Sequence, residues 1–139
     1  MMPRIALVRC LIVDDSPYFL AAARSLLEQQ GMTVVGVASS SAEALRRVEE
    51  LRPDVTLVDV DLGTENGFEL AEQLHRVAAP SPVILVSAHA EQDFTNLIEA
   101  SPAVGFLSKS ALSSGAIRDL IHRRDDGDPA VPVSGPRGR

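Results

Sequence analysis

Two adjacent carboxylates, Asp14 and Asp15, follow an apolar run that ends at Val13. A second acidic pair, Asp59 and Asp61, closes another such run, while Ser87 and Lys109 close two more. Carboxylates gathered without counter-charge repel one another, and their ionised forms become costly. A hard divalent cation resolves that conflict. Mg²⁺, or Mn²⁺ in its place, prefers oxygen ligands, keeps several waters and takes one or two carboxylates plus phosphate oxygens. An aspartate in such a setting can itself be the nucleophile and form an aspartyl-phosphate. Phosphoryl transfer then needs positioning and neutralisation of the equatorial oxygens. The cation can supply two positive charges and Lys109 a third, while the Ser87 hydroxyl can donate to a phosphoryl oxygen. Asp59 is the expected acceptor.

These residues must be delivered by elements that end together. Val8 to Val13 has no polar side, as expected of a strand buried on both faces of a parallel sheet. Ser16 is a candidate N-cap with Pro17 at the first helical position, and Gly31 stops the helix that carries Phe19, Ala22, Ala23, Leu26 and Leu27. The pattern repeats. Thr33 to Ala38 is a strand, and Ser40 with Glu43 forms a capping-box pattern ahead of Ala44, Leu45, Val48 and Leu51. Val55 to Val60 is the third strand, followed by a polar loop from Asp61 to Asn66 and a helix carrying Phe68, Leu70, Ala71, Leu74 and Val77. Pro82 to Ser87 is the fourth strand, with a short helix marked by Phe94, Leu97 and Ile98. Val104 to Leu107 is the fifth, and Ala116, Ile117, Leu120 and Ile121 line the last helix. Strands alternating with helices through short loops imply an α/β domain with a parallel sheet. In such sheets ligands bind beyond the carboxyl ends of the strands, the edge that all these polar residues reach.

Asp14-Asp15, Asp59, Ser87 and Lys109 resemble the five-residue site of two-component response-regulator receiver domains. Gly105-Phe106-Leu107-Ser108-Lys109 is similar to the family's strand-five segment, with an aromatic three residues before the lysine. The resemblance spans roughly residues 8 to 123 and implies a CheY-like, flavodoxin-like doubly wound (βα)5 fold of strand order 2-1-3-4-5. It implies Asp59 as phosphoacceptor, Asp15 as direct metal ligand with Asp14 acting mostly through water, and the Asp61 backbone carbonyl on the metal. Ser87 matches the switch hydroxyl, Phe106 the aromatic rotamer switch and Lys109 the phosphate-pairing lysine. His89 falls where the family tunes dephosphorylation, although a plain loop role is open to it. A sensor histidine kinase, docking by the first helix, is the implied partner. An output protein would read the face around the fourth helix, fifth strand and fifth helix, through which a homodimer can also form. Two positions depart from the family: Ser110 stands where a proline often follows the lysine, and Asp61-Leu62-Gly63-Thr64-Glu65-Asn66-Gly67 replaces the usual Met-Pro loop.

Composition bounds the alternatives. The 139 residues suit one domain, and a net charge of −6 from 19 acidic and 13 basic residues argues against direct nucleic-acid binding. The single cysteine, Cys10, reads as a core residue and fits a reducing cytosol. No stretch reads as a signal peptide or a membrane span, so a cytoplasmic, soluble protein is expected. Residues 1–124 read as the receiver and 125–139, rich in Gly, Pro and charge, as a disordered tail. His75 and His122 read as solvated helix positions. Asp59-Val60-Asp61 invites comparison with haloacid-dehalogenase-type phosphatases, but Gly63 stands where those carry Thr or Val and a whole strand-helix-strand-helix block precedes the pair. A nucleotidase P-loop is absent. Gly105 to Leu112 is also similar to receivers that precede LuxR-type DNA-binding domains, so a single-domain regulator and the receiver part of a DNA-binding regulator both stand as readings. The expectation is a phosphoacceptor module rather than a turnover enzyme.

Overall fold

The computed structural model describes residues 8–77 and 81–127. Its elements are β1 (Arg9–Val13), α1 (Pro17–Gln29), β2 (Thr33–Ala38), α2 (Ser41–Leu51), β3 (Val55–Asp59), β4 (Asp61–Leu62), β5 (Glu65–Asn66), α3 (Gly67–His75), β6 (Val83–Ser87), α4 (Thr95–Ala100), β7 (Gly105–Ser108) and α5 (Ser114–Gly127). Five strands form a parallel sheet in the order β2-β1-β3-β6-β7. This is the expected 2-1-3-4-5 arrangement, with β4 and β5 set aside as a separate two-stranded hairpin.

Period-two alternation divides the apolar side chains between the two faces of the sheet. Leu11, Val13, Val58 and Leu85 pack with α2 and α3 through Ala44, Val48, Leu70 and Leu74. Cys10, Ile12, Leu57 and Ile84 pack with α1 and α5 through Ala23, Leu27, Ile117 and Leu120. Every residue of β3 and β6 is buried, which explains their lack of a polar side. Burial pushes the Cys10 thiol up to about 12, so it remains a protonated core group.

Both N-caps form, while the Glu43 carboxylate of the capping-box pattern accepts the Ser39 N–H at 2.9 Å instead of the Ser40 N–H. Ser16 Oγ accepts the Phe19 N–H and Ser40 Oγ accepts the Glu43 N–H. Four details differ. The loop after β3 is partly paired, Asp61 with Asn66 and Leu62 with Glu65, around Gly63 at φ 72°. A glycine with positive φ at the first central position of a two-residue turn matches the twist a tight hairpin needs. A 3₁₀ turn, Glu91–Phe94, precedes α4. On α1, Ala22 and Leu26 face outward beside Tyr18, so the apolar stripe is narrower than its composition suggests. Finally, α5 continues to Gly127, three residues into the segment read as tail, and residues 128–139 lie outside the described residues. No helix among the described residues is long and apolar enough to cross a membrane.

Candidate functional site

Parallel strands bring Asp14, Asp59, Ser87 and Lys109 to one edge because β1, β3, β6 and β7 are neighbours in register. Val13 pairs with Val58, Asp59 with Val86, and Ser87 with Ser108. Each polar side chain therefore emerges one step beyond the apolar layer. Together with Asp15, Ser16, Asp61, Gly63 and His89 they line a cavity of about 270 Å³.

Lys109 is the hub of the cavity. Its Nζ lies 2.7 Å from Asp14 Oδ2 and 3.3 Å from Asp59 Oδ2. Burial works against the ammonium charge, but the Asp14 and Asp59 carboxylates outweigh it and hold the Lys109 pKa above its usual value. Asp59 is only 6% exposed. Burial drives its carboxyl up to about 6. The Asp61 N–H, 3.1 Å from Oδ1, works against that rise, the Asp14 charge adds to it, and the Lys109 charge opposes it.

Asp14, Asp15 and Asp59 each offer an oxygen, all within 4.8 Å of one another. Asp14 Oδ1 accepts the Ser16 N–H at 2.8 Å. Asp14 Oδ2 is buried and has the Lys109 ammonium as its charge partner at 2.7 Å. An all-oxygen donor set of three carboxylates gathered this closely fits a hard cation such as Mg²⁺ or Mn²⁺.

Ser87 Oγ accepts the His89 N–H at 2.9 Å, leaving its own proton free to donate into the cavity. Phe106 stands apart from this cavity. It is 8% exposed and packs on Phe94, with ring centroids 6.1 Å apart. Phe94 also meets Phe68 at 5.8 Å and His89 at 6.2 Å, so an aromatic chain runs from Phe106 to the rim of the site. The Lys109–Ser110 peptide is trans.

Three supports escaped sequence reading because each depends on a distant partner. A Cβ on Gly67 would collide with the Asp59 carbonyl, so only glycine lets α3 start against the strand that carries Asp59. The Glu65 carboxylate accepts the Ser41 N–H at 2.8 Å, tying the β4–β5 hairpin to the start of α2. The Phe19 ring lies 4.2 Å from Lys109 Nζ.

A five-stranded doubly wound sheet with an acidic, lysine-centred cavity at its carboxyl edge defines a receiver-type module. The family model for the response regulator receiver domain matches residues 10–122, and the chain belongs to that family. It is therefore a receiver domain of two-component signalling. It is 31% identical over 102 residues to the DNA-binding transcriptional activator EvgA of Escherichia coli K12, covering 73% of this chain and 50% of that protein. It is 37% identical over 105 residues to a protein-glutamate methylesterase/protein-glutamine glutaminase of Thermotoga maritima, covering 73% and 30%. Among solved structures, the signal receiver domain of the response regulator NarL from Mycobacterium tuberculosis aligns with a TM-score of 0.71 and 27% identity, covering 88% of this chain and 98% of that one. The chain spans half or less of the length of these two curated relatives.

Proposed function

We infer that Asp59 accepts a phosphoryl group from a sensor histidine kinase and that the adduct switches a partner-binding face. The observation that supports this most directly is the Lys109 ammonium, held between the Asp14 and Asp59 carboxylates in a cavity that Ser87 also lines. In the transfer, a carboxylate oxygen of Asp59 forms a bond to phosphorus as the phosphorus–nitrogen bond of the donor phosphohistidine breaks. The histidine nitrogen leaves with the electron pair. Lys109 leaves its ion pair with Asp59 to meet the phosphoryl oxygens, and the free Ser87 proton donates to one of them. Asp15, Asp59 and the Asp61 backbone carbonyl would hold Mg²⁺ or Mn²⁺, with Asp14 acting through water, and the bound cation supplies charge that neutralises the transferring group.

The switch starts at Ser87. Its hydroxyl is tied to the His89 backbone, and the His89 ring touches the aromatic chain that ends at Phe106. Phosphate then favours the state with Phe106 inward, and the α4–β7–α5 face is read by an output protein or a second copy. Leu97 of α4, 53% exposed, is an apolar contact available to either. Incubation with acetyl phosphate and Mg²⁺ followed by intact-mass measurement tests the acceptor. One phosphoryl adduct on the wild type and none on Asp59→Ala is expected; an adduct that survives the substitution refutes the assignment.

A second reading is favoured by the likeness to the DNA-binding transcriptional activator EvgA. In it, this receiver governs a DNA-binding output carried elsewhere in a longer protein. The intact mass of the native gene product separates a lone receiver from one with an attached output domain. In either case the receiver turns over only its own phosphate, in a cytoplasmic setting.

A further inference from the structure

The Phe19 ring is more than packing for α1. A lysine side chain is a flexible four-carbon stem ending in a compact charge, and it must be held if it is to meet a phosphoryl group without delay. Two carboxylates hold Lys109 from the cavity side, at 2.7 and 3.3 Å. The third neighbour is the face of Phe19, with Nζ 4.2 Å from the ring centroid, well inside the range of a cation–π contact. The ring is itself fixed by the acidic site. Asp14 Oδ1 accepts the Ser16 N–H, and Ser16 Oγ accepts the Phe19 N–H at the first turn of α1. Asp14 Oδ2 then pairs with Lys109, which closes a ring of contacts running Asp14, Ser16, Phe19, Lys109 and back to Asp14.

Resting on the phosphoacceptor reading of Asp59, we propose that Phe19 is a positioning residue that holds the Lys109 ammonium over the acceptor by a cation–π contact. Transfer withdraws Lys109 from Asp59 Oδ2 toward a phosphoryl oxygen. The ring, which carries no net charge, keeps its attraction for the ammonium through that shift and blocks the stem from folding toward α1. Phe19 also joins the site to α1, where the next residue outward, Tyr18, is 86% exposed.

The test compares Phe19→Leu, which keeps apolar bulk, with Phe19→Tyr, which keeps the ring, in the full chain. Phosphoryl uptake from acetyl phosphate should be roughly three- to tenfold slower in Phe19→Leu and restored in Phe19→Tyr. Mg²⁺ affinity should stay within about twofold, and the Phe19→Leu effect should vanish in a Lys109→Ala background. Equal rates in wild type and Phe19→Leu, or an undiminished effect in Lys109→Ala, would overturn the proposal. A second readout does not depend on phosphate. In the metal-free protein the Lys109 ε-methylene protons should be shifted upfield by the ring, and Phe19→Leu should abolish that shift. If the wild type takes up no phosphate, the acceptor reading fails by itself, and the proton shift alone decides whether the ring holds the lysine. An ordinary lysine shift refutes it.

Discussion

As the proposed acceptor, Asp59 would carry two opposed demands: burial to exclude water and ionisation to act as a nucleophile. Its carboxyl is pushed up to about 6 by burial, with the Asp14 charge adding to the rise. The folded state therefore binds a proton more readily than the unfolded chain, whose carboxyl titrates near 3.8. Between those values stability falls as pH rises, and above about 6 the full cost of the buried charge is present. Asp59→Asn in chelator should accordingly raise stability at pH 8 by on the order of 1–2 kcal/mol, discounted for the open cavity beside the group. At pH 4 that gain should shrink toward zero; denaturant unfolding at the two pH values measures it. With Mg²⁺ present the sign reverses, because protons and the cation compete for the same oxygens, and stabilisation by the cation should grow from pH 5 to pH 7. At this scale the sequence was informative about residue type. Asp14, Asp15, Asp59, Ser87 and Lys109 each stand at the end of an apolar run, and the cavity gathers all five. The partner of Lys109 on α1 was not legible, because nothing local distinguishes Phe19 from a core aromatic.

Elements were legible where their signals are local. Ser16 and Ser40 make the hydrogen bonds their spacing implies, and the unbroken apolar runs of β3 and β6 are buried on both faces. The segment after Asp59 was not. Asp61 to Asn66 reads as polar loop, yet Gly63 turns it into a hairpin that Glu65 fastens to the α2 N-terminus. Such a fastening spans 24 residues of sequence and leaves no local trace. Gly67 sets the entry of α3 against the Asp59 carbonyl, which predicts a large effect from a small change. Gly67→Ala should cost about 2 kcal/mol or more, since backbone rather than a flexible side chain must give way. Thermal unfolding checks the loss, and phosphoryl uptake should fall with it. Gly31→Ala, at φ 90° but with open space around it, should destabilise without altering uptake by the folded protein.

On the proposed reading, the molecule as a whole separates its chemistry from its readout. The acidic cavity lies at the carboxyl edge, while α1 offers Tyr18 and Leu26 to solvent and α4 offers Leu97. If α1 is the kinase-docking helix, Tyr18→Ser with Leu26→Glu should slow transfer from the cognate kinase at least tenfold while uptake from acetyl phosphate is unchanged. Equal loss with both donors would mean that the substitutions damage the site instead. The parallel α/β class was legible because alternation of strand and helix leaves few ways to bury both sheet faces, whereas the doubly wound strand order followed from the resemblance to receiver domains. The partner that reads the outer surfaces was not, because exposed apolar positions on α1 and α4 carry no address. The central claim, that one carboxylate of this chain stores the signal, is tested most directly by trapping it. The protein is phosphorylated with acetyl phosphate and Mg²⁺, the acyl phosphate is reduced with borohydride, and the modified residue is located by peptide mass mapping. The account predicts a single reduced site at residue 59, absent when Mg²⁺ is chelated beforehand; reduction at Asp14, Asp15 or Asp61 with residue 59 intact would contradict it.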